Sequence, residues 1–221
     1  TKLQKNLGIA RKEARGIRDN MSQISVDMKN NALNSKDFLN AFNSLNEQFG
    51  IAAGVIRDDI VAETAKLTKL TGMSAQSAAS FAKFANISGK EMGTVTKEAR
   101  AAVVAGEKEA GVRLNINKVL DEAGKIGGVI SAQLGGNPAK IAKAVAVAKQ
   151  FGMELEKVAA AGRKLLDFQD SISAELEAEL LLGKSLNLEQ ARLAALTGDY
   201  ETLTKEINKN VGSFADFTKM N

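Results

Sequence analysis

The chain has 221 residues, a net charge of +4, 44% apolar side chains and only 5% aromatics. It contains neither Cys nor His, which excludes disulfides, Cys/His metal sites and the Ser-His-Asp and Cys-His forms of nucleophilic catalysis. One Pro in the whole chain and an apolar fraction rich in Ala point to an all-α chain of closely packed helices rather than a large aromatic core.

The first element is a heptad stripe. Leu3, Leu7, Ala10, Ala14, Ile17, Met21, Ile24 and Met28 recur at alternating spacings of four and three. The phase passes through Asn31 and Ser35 and resumes at Phe38, Phe42, Leu45, Phe49, Ala52 and Ile56. A helix of 3.6 residues per turn lets such a stripe drift, so holding it implies supercoiling against a partner helix. The pattern predicts a coiled-coil rod over residues 1–70, with these positions as the seam of a homo-oligomer, a trimer being the favoured state. A possible break lies at 30–36, where Asn34 or Ser35 is suited to cap a new helix. Two readings follow: the helix continues with Asn31 and Ser35 as polar seam positions, or residues 1–30 fold back on 36–69 as a hairpin.

After Leu70 the pattern changes to an array of short capped helices and helical hairpins over residues 71–221. Thr71-Gly72-Met73-Ser74 reads as a stop and an N-cap, Ser88-Gly89-Lys90-Glu91 as a capping box, and Gly135-Gly136-Asn137-Pro138 as a stop followed by a start. One longer amphipathic helix is expected from about Glu154 to Leu182. Gly183 to Asn187 punctuates again, Thr197-Gly198-Asp199 closes another helix, and Ser213 with Asp216 opens the last. Residues 72–95 align on 135–158, matching Gly72 with Gly135, Ala79 with Ala142, Ala85 with Ala148, Gly89 with Gly152, Glu91 with Glu154 and Val95 with Val158. Shared helical-hairpin grammar accounts for these matches.

The candidate motifs have plain readings. Gly183-Lys184-Ser185 lacks the earlier Gly of a phosphate loop, since that position is Ala178, and it follows a helix. Asp167, Asp170, Glu175, Glu177 and Glu179 form an acidic cluster that reads as the solvated face of an amphipathic helix, not as a glycosidase pair. The glycine-rich stretch 124–136 reads as close helix packing or a joint, with transient membrane contact as the alternative. Charge is uneven: residues 71–166 carry 14 basic against 8 acidic groups, and residues 167–221 carry 5 against 10. The basic middle leaves DNA contact open as a second reading.

The stretch from Leu165 to Gly198, LLDFQDSISAELEAELLLGKSLNLEQARLAALTG, resembles segments of the tail tape measure and related tail proteins of tailed bacteriophages, as does GNPAKIAKAVAVAKQFGMELEKVA before it. The resemblance spans about residues 70–221. It implies a long, mainly helical structural protein in the tail tube or tip, which sets tail length, contacts other tail proteins and leaves ahead of the DNA. It transfers no active-site residue, and the chain's own residues lead us to expect no enzyme activity, cofactor or metal. The chain is then expected to be a fragment of a longer protein. The alternative is a helical ejection protein that acts on DNA or membrane.

Overall fold

A computed structural model describes residues 33–50 and 56–211, together with the scattered helical positions 12, 15, 16, 19, 22 and 23. The described residues are all-helical and contain no strand. The helices are α1 (Ser35–Phe49), α2 (Asp58–Thr71), α3 (Ala75–Ser88), α4 (Met92–Ala110), α5 (Ile116–Lys125), α6 (Gly128–Gln133), α7 (Pro138–Gln150), α8 (Leu155–Leu165), α9 (Phe168–Leu182), α10 (Glu189–Thr197) and α11 (Tyr200–Val211). They form two compact units. The first takes the chain up to Glu98 plus Leu120–Lys125, and the second takes Ala99–Val119 plus the chain from Ile126.

The first unit is built around α3. That helix is buried on almost every side, through Ser77, Ala78, Ala79, Ser80, Phe81, Ala82, Phe84 and Ala85. A helix apolar all round belongs at the centre of a bundle. Phe81 and Phe84 meet edge to face at 6.1 Å. Helix α1 lays Phe38, Ala41, Phe42 and Leu45 into the same core, where it packs against α2 and α3. Each buried Phe or Leu contributes about 1.5–3 kcal/mol of hydrophobic stabilisation, so this contact is strong without a partner chain.

This packing overturns the continuous rod. Asn34 is extended (φ −121°, ψ 167°) and accepts from the N–H groups of Lys36 and Asp37, while Asp37 accepts from the Asn34 N–H in return. That capping box starts a new helix at Ser35. Gly50 ends the helix at φ 59°, in the left-handed region that favours glycine. Residue 70 is not a boundary either, because α1 and α2 share their core with α3. The Ser88 capping box is likewise replaced: Ser88 lies inside α3 and its hydroxyl donates to the Ala85 carbonyl.

The second unit centres on α7, where Asn137 caps the N-terminus and Pro138 occupies the first turn. Its Ile141, Ala142 and Ala144 through Ala148 are buried. The small side chains let α8 and α11 come close. At the α8 crossing, a Cβ on Gly162 would lie 2.8 Å from Leu203 Cδ2 and 3.4 Å from Ala195 Cβ. The helix expected from 154 to 182 is two helices, α8 and α9, which meet at Leu166 and Asp167. The bend leaves α8 in the core and brings Ser171 and Glu175 to Arg192, a tertiary contact that no Gly or Pro announces.

The matched positions of the sequence alignment fall on the two central helices and on the turn and helix after each. Ala79 and Ala142 are fully buried, as are Ala85 and Ala148, and Val95 and Val158. Gly89 and Gly152 both turn with positive φ, 66° and 72°. Each unit thus wraps an Ala-rich helix that is entered through a polar cap and left through a glycine turn.

Candidate functional site

The expected seam divides. Phe38, Phe42 and Leu45 are buried inside the first unit, and Phe49 and Ile56 are half-buried. These positions serve the chain's own core because α2 and α3 supply the apolar surface that a partner would have supplied. Leu3, Leu7, Ala10, Ala14, Ile17, Met21, Ile24, Met28, Asn31 and Ala52 lie outside the described residues.

The unusual surface is α9, in the second unit. It docks with its polar side inward. Of its fifteen described residues, Ser171 alone is buried. Arg192 of α10 is almost fully buried, and its guanidinium donates from Nε to Ser171 Oγ at 3.0 Å and from Nη2 to Glu175 Oε2. The side chains of Arg192 and Glu175 are only 9% and 13% exposed. Glu175 Oε1 also accepts the Leu188 N–H at 2.9 Å, and Glu179 Oε1 accepts the Leu186 N–H at 2.6 Å and the Ser185 hydroxyl at 3.1 Å. The expectation that Glu175 and Glu179 face solvent is therefore corrected. Both are staples: Glu179 holds the 183–188 loop, and Glu175 takes the Leu188 N–H at the start of α10, which the helix N-terminus leaves unpaired.

The leucines point the other way. Phe168, Ile172, Leu176, Leu180, Leu181 and Leu182 are exposed, Leu180 and Leu181 to 86% and 82%. Leu193 and Leu196 of α10 are exposed as well. The staples show how these residues combine. Glu179 meets 185 and 186, Glu175 meets 188 and 192, and Ser171 meets 192, so α10 runs antiparallel to α9. In an antiparallel pair, the residues one step beyond the contact line fall on the same side. Ile172 and Leu176 follow Ser171 and Glu175, and Leu193 follows Arg192. Ile172, Leu176 and Leu193 therefore fall on one side of the pair. Asp170 and Glu177 are exposed too, on the opposite flank of α9. Several large apolar side chains exposed on two neighbouring helices mark an interaction surface.

The chain matches no protein-family profile, no curated protein and no solved structure.

The remaining candidates resolve into structure. Gly183 is the left-handed C-cap of α9, and Lys184 Nζ donates to the Asn210 carbonyl at 3.3 Å, so the Gly-Lys-Ser triplet is a helix end. In the first unit, Gly124 lies against Ser77, where an added Cβ would come within 2.6 Å of Ser77 Cβ and 2.7 Å of its Cα. Beside it, the Ser74 N–H donates to Asp121 Oδ1 at 2.6 Å and Lys125 Nζ pairs with Asp121 Oδ2 at 2.6 Å. Burial pushes the Asp121 carboxyl up, but the bonds from Lys125 and Ser74 outweigh it and hold the group at about 2, against an ordinary 3.8. A groove of about 410 Å³ in the first unit is lined by Arg57, Asp59, Glu63 and Lys90. Its cations are engaged: Arg57 pairs with Asp59 at 2.5 Å, and Lys90 with Glu98 at 2.6 Å. Among the described residues, no group of three or more acidic side chains is placed to hold a metal ion.

The sequence carried one signal for the inverted helix. Leu180-Leu181-Leu182 covers most of one turn, and no single buried face accommodates all three.

Proposed function

We propose that this chain is a structural, tape-measure-like component of a bacteriophage tail. It works in the tail tube or tip as a homo-oligomer, contacts other tail proteins and is released as DNA leaves. The observation that carries this reading is the α9–α10 hairpin. It turns its leucines outward, and it occupies the stretch, Leu165–Gly198, that resembles tape measure segments. A protein that acts by assembly needs an exposed apolar face. A lone soluble domain gains nothing from one.

The seam of residues 3–28 is the coiled-coil part of the proposal, with a trimer favoured. Phe38, Phe42 and Leu45 no longer belong to it, because α1 buries them within the first unit. Each heptad in such a rod rises about 10 Å. Deleting whole heptads within residues 3–28 from the parent gene should shorten tails by that amount per heptad. Deleting three or four residues should disturb assembly as a stammer or stutter does. Tail lengths in electron micrographs decide between the outcomes. Unchanged length after loss of two heptads would remove this segment from the ruler and leave a tip-proximal role.

A further inference from the structure

Helices α8 and α9 meet at a bend that nothing in the local sequence requires. The residues at the bend are Leu166 and Asp167, neither Gly nor Pro. Leu166 keeps helical dihedrals (φ −79°, ψ −13°), and the chain leaves them at Asp167 (φ −80°, ψ 84°). Asp is a favoured helix cap, yet the Asp167 side chain makes no capping bond. The first N–H groups of α9, at Phe168, Gln169 and Asp170, find no acceptor within their own helix. In one continuous helix they would donate to the carbonyls of Lys164, Leu165 and Leu166. We infer that α8 and α9 are two halves of one helix, latched in a bend by Arg192: when that hold is released, Asp167 turns to helical ψ, and α9 swings off α10 and continues α8 as a single helix over residues 155–182. The inference does not depend on the tail reading.

The apolar stripe fits the straight form. Leu155, Val158, Gly162, Leu165, Gln169, Ile172 and Leu176 alternate at spacings of three and four straight through the bend, with Gln169 the one polar position. Such a stripe runs along one side of an unbroken helix. The bend splits it. Leu155, Val158 and Gly162 are buried, whereas Ile172 and Leu176 are exposed to 48% and 57%.

What holds the bend is tertiary and polar. Arg192 donates to Ser171 Oγ and Glu175 Oε2, and Glu175 and Glu179 accept the N–H groups of Leu188 and Leu186. Ser171 is the one buried residue of α9, so undocking the helix uncovers little apolar surface. The hydrophobic term that fixes most helices in place is therefore nearly equal in the two states. The contacts made by Arg192 exist only in the bent one, and they decide between the two.

The chain has no cysteine, so spin labels can be placed at Glu156→Cys and Glu177→Cys, both exposed. In a continuous helix these positions lie about 32 Å apart, at about 1.5 Å per residue. Pulsed dipolar spectroscopy on the labelled full chain should give a shorter distance, set by the bend. Adding Arg192→Leu should raise the population near 32 Å at least tenfold, with helicity by circular dichroism undiminished. Adding Asp167→Ala as well should raise it further, because Ala favours the helix at the bend. Phe168→Pro in the Arg192→Leu chain should abolish it. Pro is accepted at the first position of α9, but in a continuous helix its ring meets the Lys164 carbonyl. Three results would overturn the inference: the native distance unchanged in Arg192→Leu, a broad distribution with helicity lost, or a 32 Å population that survives Phe168→Pro.

Discussion

Replacing Arg192 by Leu tests the inward-facing polar side of α9. The substitution keeps the volume apolar but leaves Glu175 with the Leu188 N–H as its remaining backbone partner, and Ser171 loses its Arg192 donor. Breaking a buried pair on one side costs about 3–5 kcal/mol when the orphaned charge stays buried. Here the charge has an escape. Of the described residues of α9, only Ser171 is buried, so the helix can lift away and hydrate Glu175. The cost is then limited to the docking of α9, about 2–3 kcal/mol on the scale of one hydrogen bond to a charged group. The event is a local opening rather than global unfolding. Hydrogen exchange on the full chain should show amides 168–182 exchanging about 30- to 150-fold faster, since about 1.4 kcal/mol is a factor of ten. Amides of α8 and α11 should keep their protection. In the double variant Arg192→Leu/Glu175→Leu, both charges are gone and an apolar pair replaces them, so most of the loss should be recovered. Single effects that add to within about 0.5 kcal/mol in the double variant would refute the reasoning, because uncoupled residues add in that way. So would unchanged protection of α9 in Arg192→Leu.

Further outcomes are expected elsewhere. Gly124→Ala forces a Cβ against the Ser77 backbone and should cost about 2–3 kcal/mol; a calorimetric midpoint lowered by less than about 4 °C would argue against it. Asp121 has a folded pKa of about 2 against an ordinary 3.8, so its contribution is present above about pH 4 and lost as pH falls toward 2. Asp121→Asn should therefore cost about 1 kcal/mol at pH 7, after allowance for solvent screening, and roughly a third of that at pH 2.5, as measured by urea unfolding at both. The chain should clear no peptidoglycan; clearing that disappears on Glu175→Gln or Glu179→Gln would overturn the staple reading of those carboxylates. Ile17→Asp should dissociate a seam-held oligomer in sedimentation, because an unpaired charge in an apolar contact is strongly disfavoured.

The sequence by itself determined the helical class. With one Pro, abundant Ala and heptad spacing, no other regular structure satisfies the backbone as readily. It also placed several helix ends, because Asn34, Ser74, Asn137, Gly72 and Gly198 act through local hydrogen bonds and local dihedrals. Those interactions reach only a few residues, so they can be read from neighbouring letters. What an apolar stripe faces is a different kind of fact. Phe38, Phe42 and Leu45 continue the phase set by Leu3 to Met28, yet they pack on α2 and α3 because those helices fold back within reach. Periodicity says that a face is to be covered, and not by which chain. The same limit hid the inversion of α9. Glu175 and Glu179 read as a wet face until Arg192, some seventeen residues on, and the N–H groups of Leu186 and Leu188 turned them inward. Only tertiary structure brings a buried guanidinium to those carboxylates, and that contact is what leaves the leucines outside.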